Sequence, residues 1–204
     1  FDVVIVIHPN NPSGETFDRQ RLLNWQQRLQ MRNGWLIVDE AFLDITPEQS
    51  LAPFPCQHGL IILRSLGKFF GLAGVRVGFV ITHPDLLKQI AEKSGPWPIA
   101  TASRWIASQA LADKNWQQQS RQYLPQHAQR LTELLGQYKL APSGGCALFQ
   151  WVKTAHAASI HHQLAQQGIL CRLFDRPAAL RFGLPATEQD WLRLETALQK
   201  VEQP

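Results

Sequence analysis

Cysteine, methionine and tyrosine are scarce in this chain: three, one and two residues among 204. Cys56, Cys146 and Cys171 form an odd set without the close spacing of a metal site. A disulfide scaffold is therefore excluded, and a reducing, cytoplasmic location is expected. No apolar stretch is long enough to span a membrane, and no signal-like segment opens the sequence. Acidic residues are the minority sign, 16 against 20 Lys and Arg, for a formal net charge of +4. The basic residues are scattered rather than gathered into a stripe, which argues against a nucleic-acid partner. Isolated arginines within apolar text suit small anionic ligands better. What is present is a chain 45% apolar, enough for a substantial core.

Apolar, β-branched runs at 2–7, 35–39, 59–65 and 75–82 read as buried strands. A helical pattern from Asp18 to Met31 separates the first two, and His83-Pro84-Asp85 opens another helix through about Lys93. Strands alternating with helices indicate a mainly parallel α/β sheet. GPWPI (95–99) interrupts the chain, and helical text follows from about Ala100 to Leu135, with breaks near Asp113 and Pro125. A strand at 144–152, a helix at about 157–167, strands in ILCRLF and ALRFGLP, and a helix at about 187–202 complete a second, smaller α/β unit. The expected organisation is a larger domain over 1–124 and a smaller one over 125–204. Trp116, Trp151 and Trp191 are expected in the core.

Three strand ends carry chemistry. Asn11 follows the first strand, Asp39 closes the second in LIVDEAF, and Ser65 and Lys68 follow the third. Ligands of open α/β sheets sit outside the carboxyl ends of strands, so an amide, a carboxylate, a hydroxyl and an amine are expected in one crevice. Lys68 stands in RSLGKFFGLAGVRVGF among glycines and phenylalanines. A surface lysine laying its stem on apolar groups is one reading. An amine used as a reagent is the other.

The segments HPNNPSG, VDEAF and SLGKFFGLAGVRVGF closely resemble the fold-type I, pyridoxal 5'-phosphate (PLP) dependent aminotransferase family. Within it, RSLGKFFGLAG, GPW, ALADKNWQQ and LRFGLP look most like the L-threonine-O-3-phosphate decarboxylases of cobalamin biosynthesis, relatives of the histidinol-phosphate aminotransferases. The resemblance implies the truncated large domain of such an enzyme followed by its small C-terminal domain. It makes Lys68 the amine that bonds PLP and Asp39 the partner of the ring nitrogen. Asn11 would bond the ring's 3-oxygen, Ser65 and Arg76 the cofactor phosphate, and Arg181 the substrate carboxylate. No metal is implied. The substrate would be a small phosphorylated amino acid, decarboxylated to 1-amino-2-propanol phosphate.

Two departures matter. Phe42 stands where many relatives carry a tyrosine that bonds the 3-oxygen, and Gly67 stands where histidinol-phosphate aminotransferases commonly carry serine. Both resemble the decarboxylases. An aminotransferase of the histidinol-phosphate type is the alternative, and a ligand-sensing domain of a transcription regulator is a second. The sequence opens on Phe1, within a strand, and reads as the C-terminal part of a longer, homodimeric protein. The piece alone is expected to be inactive, to bind PLP weakly, and to self-associate through open sheet edges.

Overall fold

A computed structural model of the protein describes residues 2–54 and 57–202; Phe1 and Cys56 lie outside the described residues. The described residues form two compact units, one within 2–11 and 15–121 and one within 12–14 and 122–202.

The first unit is built on a four-stranded sheet in the order β1 (Val3–Ile7), β2 (Trp35–Asp39), β3 (Leu60–Ser65) and β4 (Gly78–Thr82). The first three strands are parallel, as their unbroken apolar runs suggest. Helix α1 (Arg19–Gln30) makes the crossover from β1 to β2. The Asp18 carboxylate caps it by accepting the Arg21 N–H at 2.9 Å, and Asn33 in the left-handed region (φ 58°) ends it. Its buried stripe of Leu22, Gln26 and Leu29 follows helical spacing, and Leu22 and Leu29 pack with Val6, Leu36, Val38, Leu60 and Ile62.

β4 departs from the parallel pattern: it pairs antiparallel with β3, Ser65 opposite Gly78 and Ile61 opposite Thr82. The connection over 66–77 contains only a short 3-10 turn, Ala73–Val75, and no crossover helix to carry the chain back. Helices α2 (Pro84–Ser94), α3 (Thr101–Ala112) and the start of α4 (Lys114–Gln137) follow, and Pro125 lies inside α4 without ending it. Trp116, expected in the core, is 39% exposed, its ring stacked on Phe70 at 5.7 Å.

The second unit carries an antiparallel sheet in the order β5 (Gly144–Cys146), β6 (Phe149–Lys153), β8 (Ala178–Gly183) and β7 (Arg172–Asp175). The single strand expected over 144–152 is a hairpin, β5 and β6 turning at Ala147-Leu148. Residues 12–14 pack here because only glycines leave room. A Cβ on Gly144 would lie 2.3 Å from the Ser13 carbonyl oxygen, and one on Gly14 would lie 2.0 Å from that of Gly145. Helices α5 (Ala157–Gln166) and α6 (Glu188–Gln199) cover the sheet with Ile160, Leu164, Trp191 and Leu198. A reciprocal cap between Thr187 and Asp190 starts α6. Trp151 and Trp191 are buried as expected.

Cys146 and Cys171 are both free. Burial raises the pKa of both thiols, that of Cys171 from its ordinary 9.0 to about 11. An unfolded Cys171 therefore ionises at a pH where the folded one stays protonated, so folding stability falls as pH rises from 9.0 toward about 11. Site-resolved thiol labelling near pH 8 is expected to modify Cys171 only slowly until denaturant is added. Rapid native labelling would contradict this burial.

Candidate functional site

The parallel register brings the carboxyl ends of β1, β2 and β3 side by side. Asp39 lies between Ile7 and Leu63 in the ladder. The His8 N–H donates to the Asp39 carbonyl at 2.8 Å, and the Glu40 N–H donates to the Leu63 carbonyl at 2.9 Å. The Asp39 side chain is half-buried, and its Oδ1 accepts the Ala41 N–H at 2.9 Å. That bond turns the chain out of the strand and starts the segment carrying Phe42. Asn11, beyond the end of β1, is exposed. His8 is fully buried and accepts the Phe17 N–H at Nδ1, 3.1 Å; burial lowers its pKa and favours the neutral ring. His8 therefore fastens the loop after β1.

One loop holds Ser65, Lys68 and Arg76. Its base is closed by the Ser65–Gly78 pair and by the Leu66 N–H on the Val77 carbonyl at 3.3 Å. Inside it, the Leu72 N–H donates to the Leu66 carbonyl and the Gly71 N–H to that of Lys68, both at 3.0 Å. Ser65 Oγ accepts the Gly67 N–H at 3.1 Å. A Cβ on Gly67 would stand 3.3 Å from both Ala73 Cα and Ser65 Oγ, so the loop folds tightly over this glycine. Arg76 adopts the left-handed conformation (φ 58°), and its Nη1 donates to the Ala73 carbonyl at 3.1 Å. The Lys68 side chain is exposed and reaches over the buried Phe42 ring, its Nζ 5.3 Å from the centroid. Phe42 thus links the segment after Asp39 to the lysine loop.

A buried ionic network fastens this arrangement from below. The Glu40 carboxylate is fully buried, accepting from Ser50 Oγ at 2.5 Å, the Leu51 N–H at 2.8 Å and Arg64 Nη1 at 3.1 Å. Arg64 Nη2 pairs with Asp44 Oδ1 at 2.5 Å, and Arg121 Nε donates to the Asp44 carbonyl at 2.8 Å. Glu40 follows Asp39 and Arg64 precedes Ser65, so the pair ties together the two strand ends that carry the candidate site. Sequence reasoning passed over these residues. Their signal was the alternation of strands: neighbours of outward-facing Asp39 and Ser65 point the other way, into the apolar layer, where a charge needs a partner.

Asp39, Ser65, Lys68 and Arg76 thus lie on adjoining strand ends and one loop of the first unit. Arg181 belongs to the second unit, in the middle of β8, half-buried with its guanidinium 5.2 Å from the Phe149 ring centroid. Burial, then the like charge of Arg172 directly opposite in the ladder, lowers its pKa. Trp97 is 86% exposed.

The sequence profile of the aminotransferase class I and II family matches residues 1–202. A threonine-phosphate decarboxylase of Pseudomonas aeruginosa is 49% identical over 203 residues, spanning 100% of this chain and 61% of that protein. One from a Sinorhizobium species is 38% identical, spanning 98% of this chain and 60% of its own length. A histidinol-phosphate aminotransferase of Thermoanaerobacter is 30% identical over 91% of this chain and 52% of that protein. The chain thus spans about three-fifths or less of these relatives. Among solved structures, a histidinol-phosphate aminotransferase of Sinorhizobium meliloti in complex with pyridoxal-5'-phosphate superposes with a TM-score of 0.86. It shares 24% identity over 98% of this chain and 57% of its own. The L-threonine-O-3-phosphate decarboxylase of Porphyromonas gingivalis gives 0.77 at 18% identity, over 97% of this chain and 63% of its own. At such identities the likeness speaks for the fold: a mixed sheet with helices, as in the aminotransferases.

Removing one partner of a buried ion pair strands the other in a low-dielectric setting. Arg64→Met is therefore expected to lower unfolding free energy by roughly 3–5 kcal/mol, read from urea denaturation. A change within about 0.5 kcal/mol, as for ordinary surface sites, would contradict the network's importance.

Proposed function

The chain belongs to the aminotransferase class I and II family, and from that premise we propose that it carries the cofactor site of a PLP-dependent enzyme that decarboxylates L-threonine O-3-phosphate. The observation that carries this reading is the single loop presenting Ser65, Lys68 and Arg76 beside the Asp39 end of β2. The residues present fit the cofactor: an amine for its aldehyde, a carboxylate for its ring nitrogen, and a hydroxyl and a guanidinium for its phosphate. The choice of substrate rests on the two relatives named threonine-phosphate decarboxylase, at 49% and 38% identity.

Each residue has a physical task in this proposal. Lys68 would hold the cofactor covalently through Nζ. Asp39, ionised, would accept a hydrogen bond from the ring N–H and keep that nitrogen protonated. Asn11 would bond the ring's 3-oxygen. Ser65 Oγ already accepts the Gly67 N–H, so its own O–H is the group to offer a phosphate oxygen. Arg76 would add a permanent positive charge there. When bound, the cofactor supplies an electron sink for the pair left at the substrate Cα when a bond breaks. The pose in which the chain's own residues hold the substrate would decide which bond breaks. Arg181 would grip the carboxylate and so fix that pose. Lys68 Nζ would also carry the proton returned to the substrate. Phe42 under the amine provides an apolar face without a hydroxyl.

The substrate side would comprise a small phosphorylated amino acid and no nucleic acid, with a homodimer as the working assembly. No helix among the described residues is long and apolar enough to cross a membrane.

The whole gene product, supplied with PLP, is expected to release CO2 from O-phosphothreonine, and Lys68→Ala to lower the rate at least about a hundredfold. Keto-acid exchange with histidinol phosphate, without CO2 release, would assign it to the aminotransferases instead.

A further inference from the structure

A second cluster of ligating side chains lies at the opposite end of the first unit's sheet. His58 precedes β3 and His83 follows β4. Because these strands run antiparallel with Ile61 opposite Thr82, the start of one and the end of the other meet. The Lys68 loop leaves the far end of β3, about 17 Å away along the strand at about 3.3 Å per residue. Asp85 stands in the first turn of α2, two residues after His83. One ligating atom from each of His58, His83 and Asp85 lies within 4.8 Å of the others.

We propose that His58, His83 and Asp85 form a binding site for a divalent first-row transition metal ion, zinc foremost, independent of the cofactor site. Three observations carry this. First, the donor set is two imidazoles and a carboxylate, which suits zinc and its neighbours rather than calcium or magnesium. Second, the spacing is right. His83 Nδ1 and Asp85 Oδ2 are 3.3 Å apart, and two ligands about 2.0–2.1 Å from one tetrahedral ion stand about 3.3 Å apart. The His58 and His83 rings lie stacked, with centroids 3.7 Å apart and planes inclined at 27°; imidazole lone pairs lie in the ring plane, so the His58 ring must rotate out of the stack to aim a nitrogen at the ion that His83 and Asp85 hold.

Third, the backbones that carry the ligands are held. The His58 carbonyl accepts from buried Gln26 Nε2 at 2.9 Å, and a Cβ on the following Gly59 would stand 2.6 Å from the Gly34 carbonyl oxygen. The His83 carbonyl accepts the Leu86 and Leu87 N–H groups, both at 3.1 Å, at the start of α2. Only side-chain rotation is needed to close the set. His58 and Asp85 are exposed, so that rotation is unhindered and water can complete the coordination. Binding takes up the lone pair of His83 Nδ1, giving up its long 3.3 Å bond from the Asp85 N–H.

Titration of tag-free protein, free of added PLP, with cobalt(II) and zinc(II) tests the site. One equivalent of cobalt with visible d–d absorption is expected, displaced by zinc. His58→Ala and His83→Asn are each expected to weaken zinc affinity at least about tenfold, the lower bound for disturbing even an outer partner of a metal site. Asn at 83 remains a good helix cap, and circular dichroism checks that each variant folds. His161→Ala/His162→Ala, on α5, is expected to bind as the unaltered protein does. Absence of a saturable single equivalent, unchanged affinity in folded His58→Ala and His83→Asn, or loss of binding in the α5 control would each overturn the proposal.

Discussion

The buried contact between Glu40 and Arg64 is the constraint on which the first unit's candidate site depends. A fully buried carboxylate is tolerated only where donors replace water, and Glu40 has three: the Ser50 hydroxyl, the Leu51 amide and the Arg64 guanidinium. Because Glu40 and Arg64 are sequence neighbours of Asp39 and Ser65, the contact sets the spacing of the groups on the opposite face. Asp44, in the 3-10 turn Leu43–Ile45, and Arg121, in α4, extend it. The candidate site residues of this unit sit on strand ends and on a loop closed at its base, rather than on a free tether.

From that footing the proposed chemistry follows by position. An amine useful for covalent catalysis needs access and a defined approach, and Lys68 has both: its side chain is exposed, and the Phe42 ring lies beneath it. Tight folding at Gly67 and the left-handed turn at Arg76 gather the hydroxyl and the guanidinium onto one short stretch. In the proposed reading, a phosphate-bearing ligand would be met there by a neutral and a charged donor. Phe42 and Gly67, the departures from the commoner aminotransferase pattern, lie at this same point.

Much of this was legible in the sequence for specific reasons. β1, β2 and β3 announce themselves as continuous apolar runs, and Asn11, Asp39, Ser65 and Lys68 fall at their ends because breakers and polar residues follow each run. The direction of β4 was not legible: composition gives a strand but not its sense, and the short 66–77 connection is the only hint. The β5–β6 hairpin was hidden because GGCALFQWV reads as one apolar run across its two-residue turn. Residues 12–14 join the second unit through glycine contacts that no local pattern reveals. Trp116 shows that helical spacing alone does not say how deeply a side chain is covered. Glu40 and Arg64 were legible in principle, as charges on the inward side of apolar strands.

The most direct measurement is reductive trapping. The whole gene product is incubated with a limiting amount of PLP and reduced with borohydride, and the labelled peptides are then identified by mass spectrometry, in the unaltered protein and in Arg64→Met. The account expects the label to concentrate on Lys68 in the unaltered protein and to lose that preference in the variant. Label spread evenly over the surface lysines of the unaltered protein would contradict it.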